Sequence, residues 1–323
     1  MNNKFYDYRT SGITQGLLAK FMNCREETKL FLQGWSPKGA QSSALTYGTI
    51  VHGILEKVYV DIKSRKIKSA PTSVALNNYV QAVKKLWQNE NRNASNDSRK
   101  LLEVALGIAH TTLFHYFRKW WRDDTTKIKW EQLEQEFKIP YKTKDGRSTF
   151  LRGKIDGVFN NPRLWLFEHK TKSMVNEGAL MDTLAYEHQV QFYLYALSQL
   201  YKKTPAGVLY DIIRKPSSEP KSGESLATYL NRINYDIGKR PDFYFIRYEI
   251  SITPAEQQAY RNQLEGMIVD FMDWCDGLVP TYMNTAQCIT KYGRCPYLGI
   301  CSSQQFNLYE KRKEVFRELS GDR

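Results

Sequence analysis

Two carboxylates and an amine are spaced so that a single turn could bring them together. Asp156 lies in LRGKIDGVF, and Glu168 and Lys170 lie in LWLFEHKT. A turn at Asn160–Arg163 would fold these segments into a hairpin and set Asp156 opposite residue 167 or 168. A strand period of two puts Glu168 and Lys170 on one face. Carboxylate oxygens converging at such a point suit a hard cation, Mg2+ or Mn2+. The same residues would also make an ordinary cross-strand ion pair, so alone they leave both readings open. Gln191 and Tyr195, in EHQVQFYLYAL, are four apart and share a helix face. Gln189 and Tyr193 offer a second register of the same spacing. His52 lies in GTIVHGILE, among small and apolar neighbours that would equally hold a core histidine.

Sulfur chemistry is concentrated at one end. Three of the five cysteines, Cys288, Cys295 and Cys301, fall within CITKYGRCPYLGIC, while Cys24 stands alone near the start. Clustered cysteines in a reducing compartment bind metal more often than they form disulfides. The spacing is not that of a CxxC zinc knuckle, and four thiolates suit an iron–sulfur cluster or zinc. Cys275, in FMDWCDGL, sits in a helical pattern and reads as a core residue.

The elements that must position these groups follow from periodicity. Residues 11–33 read as a helix carrying Cys24, and 46–59 as a helix carrying His52. SPKGAQSSA between them reads as a loop. Residues 73–89 and 98–121 read as further helices, the second with Phe114, Tyr116, Phe117, Trp120 and Trp121 as core aromatics rather than a stacking platform. From Trp130 the pattern becomes β: EQEFKIPYKT, STFLRGKIDGVF and RLWLFEHKT are expected strands, with turns at DGR and NNP. Residues 181–201 return to helix, AGVLYDIIRK and DFYFIRYEIS add two strands, and Thr253-Pro254-Ala255-Glu256 opens the last long helix with a capping box. The expected class is α/β: a central mixed β-sheet flanked by helices, with an N-terminal helical region and a cysteine-bearing C-terminal tail.

The chain has 323 residues, with 47 Lys and Arg against 34 Asp and Glu, a formal net charge of +13. Such a balance points to a polyanionic partner. No apolar run reaches the roughly 18 residues of a spanning helix, and the opening residues lack a signal-peptide core, so a cytoplasmic location is expected. There is no GxxxxGK[ST] motif, so unwinding of nucleic acid would need a separate helicase or recombination partner.

Taken in order, these motifs resemble RecB-like nucleases of the PD-(D/E)XK superfamily. More narrowly, they are similar to the branch whose nuclease domain is pinned by a 4Fe–4S cluster, which includes the CRISPR adaptation exonuclease, the AddB nuclease domain and many phage exonucleases. GTIVHGILE resembles the family's histidine motif, GKIDGVF the aspartate motif, FEHKT the Glu-x-Lys motif and QFYLYAL the Gln-xxx-Tyr motif. The YAL after Tyr195 favours the Gln191/Tyr195 register. ITQGLLAKFMNCREETKLFL and the tail resemble the two cluster-binding segments, with a wider Cys288–Cys295 spacing than is usual there.

The resemblance implies a restriction-endonuclease-like core and hydrolysis of DNA phosphodiester bonds, as an exonuclease. It implies a divalent ion held by Asp156, Glu168, the backbone carbonyl of His169 and His52. Lys170 would stabilise the transition state, and Gln191 and Tyr195 would position the strand. Cys24, Cys288, Cys295 and Cys301 would hold a structural 4Fe–4S cluster, or zinc. Glu136, on the strand before the hairpin, offers a supporting carboxylate or a plain surface glutamate. The expected organisation is one nuclease domain over 1–323: a helical region (1–125), the catalytic core (126–251), and the final helix with the cluster-binding tail (252–323). A degenerate site, binding nucleic acid without cleaving it, is the competing possibility, as is a zinc-pinned structural module. A phage origin would place the protein in a host cytoplasm.

Overall fold

The computed structural model describes residues 5–38, 43–92, 94–290, 293–316 and 319. Three long strands make up much of a six-stranded sheet. They are β3 (Trp130–Lys142), β4 (Ser148–Asn160) and β5 (Leu164–Lys172), preceded in the chain by two short strands, β1 (Ile13–Thr14) and β2 (Trp35–Pro37). β6 (Gly207–Arg214) runs parallel to β5, and β7 (Phe245–Ser251) closes the far edge antiparallel to β6. β1 pairs with β4 in parallel through Ile13–Leu151 and Thr14–Arg152. The sheet is therefore mixed, with order β1-β4-β5-β6-β7 and β3 also on β4. The expected architecture, a mixed sheet flanked by helices, is the one observed.

Helices cover both faces because both faces are apolar. After the one-turn helix α1 (Tyr8–Ser11) come α2 (Gln15–Asn23) and α3 (Arg25–Leu32), then α4 (Ser43–Lys63), α5 (Ser73–Glu90) and α6 (Asn96–Arg122). α7 (Glu177–Thr183), α8 (His188–Tyr201), α9 (Leu226–Lys239), α10 (Pro241–Tyr244), α11 (Pro254–Cys275) and α12 (Leu298–Ser303) complete the set. α2, α8 and α11 share one core with Leu151, Leu164 and Leu166 of the sheet. α4, α5, α6 and α9 share another with Phe159, Trp165 and Phe167 on the opposite face. The first 125 residues are thus divided between the two faces. α11 starts with the anticipated capping box: the Thr253 side chain accepts from Glu256 N–H, and Glu256 accepts from Thr253 N–H.

Three expectations need correction. Residues 11–33 are not one helix, because Cys24 adopts extended backbone (φ −161°, ψ 116°) and splits α2 from α3. The break turns the Cys24 thiol out of helical register towards the tail. The helix anticipated over 181–201 starts at His188, where the Glu187 side chain caps Val190 N–H at 2.9 Å. DFYF is not strand throughout: Pro241–Tyr244 makes one helical turn before β7. The loop anticipated over 36–44 lies partly outside the described residues.

A buried ionic row crosses three strands. His169, Asp211 and Arg247 are neighbours in register on β5, β6 and β7. His169 Nδ1 lies 2.7 Å from Asp211 Oδ2, and Arg247 Nε donates to Asp211 Oδ1 at 2.9 Å. The Arg247 guanidinium also binds both oxygens of Asp124, at 2.5 and 3.0 Å, from the π-helical turn that ends α6. Tyr59 of α4 donates to Asp124 and Tyr116 of α6 donates to Asp211, each at 2.6 Å. Asp124 and Asp211 are both fully buried. Removing one partner from such a set strands the others as uncompensated charge. Arg247→Met should therefore lower unfolding stability by about 3–5 kcal/mol in urea titrations. Breaking the exposed Arg240–Asp236 pair should leave the unfolding midpoint nearly unmoved.

Candidate active site

The antiparallel ladder between β4 and β5 runs from Asn160–Leu164 to Gly157–Phe167 and stops there. Asp156 and Glu168 are the next residues on each strand, so the two carboxylates face the gap where the strands part. Gly157 sits at this fork because a Cβ would lie 2.9 Å from the Trp130 ring and 3.2 Å from Phe167 Cβ. Asp156 Oδ2 accepts the His169 backbone N–H at 2.9 Å. His52 of α4 approaches from the opposite layer, its Nδ1 3.9 Å from the same oxygen. Gly48, one turn earlier on α4, lets that helix reach β5: a Cβ there would lie 3.0 Å from Thr171 Oγ1.

Glu168 is 2% exposed. Its Oε1 accepts from Lys170 Nζ at 2.8 Å and from Gln189 Nε2 at 2.7 Å, while its Oε2 is buried with no hydrogen-bond partner among the described residues. A buried carboxylate oxygen without a donor is costly. Burial pushes the Glu168 carboxyl up to about 8, against the pull of Lys170 and with the push of Asp156. For Lys170, burial works downward, but the Glu168 carboxylate outweighs it and raises the ammonium above its ordinary value. Burial lowers the His52 imidazole, although Asp156 opposes it, which leaves a neutral ring nitrogen available as a ligand.

Asp156, Glu168, Lys170, His169 and His52 are thus brought together. Gln191 and Tyr195 are not. Gln191 is buried and donates to the Ala185 carbonyl at 2.6 Å, and Tyr195 packs between Tyr141 and Arg261. The glutamine at the carboxylates is Gln189, whose Oε1 also accepts from Lys170 at 2.6 Å. The register favoured by YAL fails because α8 begins at His188, which leaves Gln189 in its first turn facing β5. Tyr193, four residues on, packs against Phe137.

Glu136 is exposed, and the carboxylate near Asp156 on β3 is instead Glu134. It takes a left-handed backbone (φ 50°) that no glycine relieves. It shares Lys154 with Glu56, at 3.0 and 2.8 Å. Burial first, and Asp156 second, push its carboxyl up to about 8. Nothing in the strand pattern distinguished Glu134 from Glu136, because a single left-handed residue reverses which face each side chain takes.

The four cysteines of the two terminal segments line one small cavity with Asn284. Two strands, β8 (Ile289–Thr290) and β9 (Gly293–Arg294), pair antiparallel, and Cys295 N–H donates to the Cys288 carbonyl at 2.9 Å. The wide Cys288–Cys295 spacing is therefore a hairpin that returns the second cysteine beside the first; residues 291 and 292 at its tip lie outside the described residues. The Asn284 N–H donates to Cys24 Sγ at 3.4 Å. Burial, then neighbouring charge, pushes the Cys301 thiol up to about 11. Cys275 lies elsewhere, partly buried against the α2–α8–α11 core. Among the described residues, no group of three or more His, Cys, Asp or Glu side chains is placed to hold a metal ion. No described helix is long and apolar enough to cross a membrane.

The donor sets nonetheless suit different groups. The unpartnered Glu168 oxygen beside Asp156, a backbone carbonyl and an imidazole suits a hard divalent cation. Four thiols around one cavity suit a soft metal or an iron–sulfur cluster.

No curated protein sequence matches this chain. One solved structure, described as "Crystal structure of SSO0001", is 16% identical, covering 80% of this chain and 98% of that one with a TM-score of 0.34, too distant to carry an inference. A family model described as PD-(D/E)XK nuclease superfamily matches residues 18–302, which include every carboxylate, lysine and cysteine of the two sites. The chain belongs to the PD-(D/E)XK nuclease superfamily.

Proposed function

We propose that this protein is a metal-dependent deoxyribonuclease that degrades DNA from an end, with a structural 4Fe–4S cluster joining its two terminal segments. The observation that carries the nuclease reading is the pair Asp156 and Glu168 at the fork of β4 and β5, with a buried, partnerless oxygen on Glu168 and Lys170 on the same face. Asp156, Glu168, the His169 carbonyl and His52 would hold Mg2+ or Mn2+, which lowers the pKa of a water and offsets charge on the phosphoryl group. The imidazole in this set favours Mn2+ somewhat over Mg2+.

The remaining chemistry belongs to the chain. Lys170 stays an ammonium at neutral pH because Glu168 raises it, so it donates hydrogen bonds and positive charge and does not serve as a base. Gln189 bonds both Lys170 and Glu168, fixing the distance between acid and amine. The His169 N–H holds one oxygen of Asp156 and leaves the other free to turn into the gap. The exonuclease assignment rests on the likeness of the motif set to end-processing members of the superfamily. Supply of single strands would fall to a separate helicase or recombination partner.

The cluster reading is supported by the shared cavity of Cys24, Cys288, Cys295 and Cys301.

End-labelled single- and double-stranded DNA, incubated with Mg2+, Mn2+ or EDTA, tests the activity directly. Cleavage with metal and none with EDTA is the expected outcome; absence of cleavage in all three would overturn the reading. Asp156→Asn, Glu168→Gln and Lys170→Met should each lower the cleavage rate by roughly 10²–10³-fold or more while the circular dichroism spectrum is unchanged. Gln189→Ala should cost more than Gln191→Ala, which removes only a bond to the Ala185 carbonyl. For the cluster, iron analysis of the five single Cys→Ser variants is decisive. Cys24, Cys288, Cys295 and Cys301 variants should lose iron and melt at lower temperature, whereas Cys275→Ser should retain iron. Zinc in place of iron in the purified protein would refute the cluster but not the nuclease.

A further inference from the structure

The face of β5 that carries Glu168 and Lys170 continues one step further to Lys172. Lys170 is engaged by Glu168 and Gln189. Lys172 is half-buried, yet its ammonium has no hydrogen bond or ion pair among the described residues. Its side-chain contact is with the Tyr210 ring, 5.6 Å from the centroid. The carboxylate that raises it, Glu187, is already bonded to the Val190 N–H. Tyr210 is buried on β6, in register with Glu168. Its hydroxyl also has no hydrogen-bond partner among the described residues.

A half-buried cation beside a second one, with its neighbouring carboxylate already bonded elsewhere, gains from an incoming anion. The α-carbons of Lys170 and Lys172 are about 6.6 Å apart along the strand, the order of the step between successive phosphates on one nucleic-acid strand. We propose that Lys172 and the Tyr210 hydroxyl form a phosphate-binding subsite, which takes the backbone phosphate next to the one that is cleaved. This inference rests on the nuclease reading of Asp156, Glu168 and Lys170. Because a phosphate carries no sequence information, the subsite secures and aligns the strand without selecting bases.

The test separates binding from chemistry. Steady-state cleavage of an end-labelled single-stranded oligonucleotide is measured for the wild type, Lys172→Ala, Lys172→Arg and Tyr210→Phe. Binding of the same oligonucleotide over a salt series is measured in a Glu168→Gln background, with and without Lys172→Ala. Lys172→Ala should raise KM about tenfold while kcat stays within about threefold, and should reduce the salt slope of binding by about 0.7. Lys172→Arg should restore KM, and Tyr210→Phe should raise it by about threefold. Unchanged KM and salt slope in Lys172→Ala, in an active wild type, would overturn the subsite alone. So would a loss confined to kcat that arginine does not rescue. A wild type that neither cleaves nor binds DNA overturns the nuclease reading itself.

Discussion

Arg247 is the charge around which the molecule is built. Its guanidinium is 7% exposed and lies between two buried carboxylates, Asp124 and Asp211. Desolvating three charges is costly, and the set is tolerable only when every lone pair and proton is matched. Matching here requires β6 and β7 in register, Tyr59 on α4, Tyr116 on α6 and the π-helical turn after α6. The helical layer over this face is thereby tied to the sheet by directional bonds, where apolar packing alone would let it slide. The same row ends on His169. Its ring is fixed by Asp211 and packs on Phe167, and its N–H grips Asp156. Arg247 thus bears on the placement of the Asp156 carboxylate through two intervening residues, Asp211 and His169.

The gap at Asp156 and Glu168 follows from sheet topology. β5 has to end its pairing with β4 at Phe167 while continuing along β6 to Lys172. A strand that leaves one neighbour and stays with the other opens a fork, and side chains at the fork reach a shared space that a closed ladder would deny them. The layers on either side then supply one group each. α4 brings His52, and α8 brings Gln189. Gln189 is placed by the start of its helix, which the Glu187 cap fixes to within one residue.

Legibility in the sequence followed the range of the interaction. The hairpin could be read because Asp156, Glu168 and Lys170 are separated by a single turn, and a period of two decides their faces. Helices α4 to α6 could be read because their apolar stripes repeat over many turns. The glutamine register could not, because Gln189 and Gln191 satisfy the same spacing and only the helix start chooses between them. Glu134 was hidden by one left-handed residue. The row of His169, Asp211, Arg247 and Asp124 was hidden altogether. Its members lie on β5, β6, β7 and a π-helical turn, and a lone Asp or Arg in a strand carries no sign that its partner is 36 or 123 residues away.

The cysteine region shows how far the two ends depend on one another. Several contacts join them. β2 pairs with a short strand, β10 (Tyr309–Lys311), Arg25 binds both oxygens of Asp270, and Asn284 bonds to Asn23 and Cys24. A separate small core of Leu30, Tyr297, Ile300 and Tyr309 lies beneath them, with Cys295 and Cys301 packed against it. This core is too small to hold the tail by burial alone, since four side chains supply about 6–12 kcal/mol at about 1.5–3 kcal/mol each, against about 20–40 kcal/mol of ordering entropy for some twenty residues at about 1–2 kcal/mol each. The main sheet, in contrast, draws on two large cores that include none of the four cysteines. A metal group held by Cys24 and the tail would add its binding energy where the protein is weakest, closing a loop of about 260 residues. Its loss would release the tail and α3 first, and leave the fork of β4 and β5 standing on Arg247.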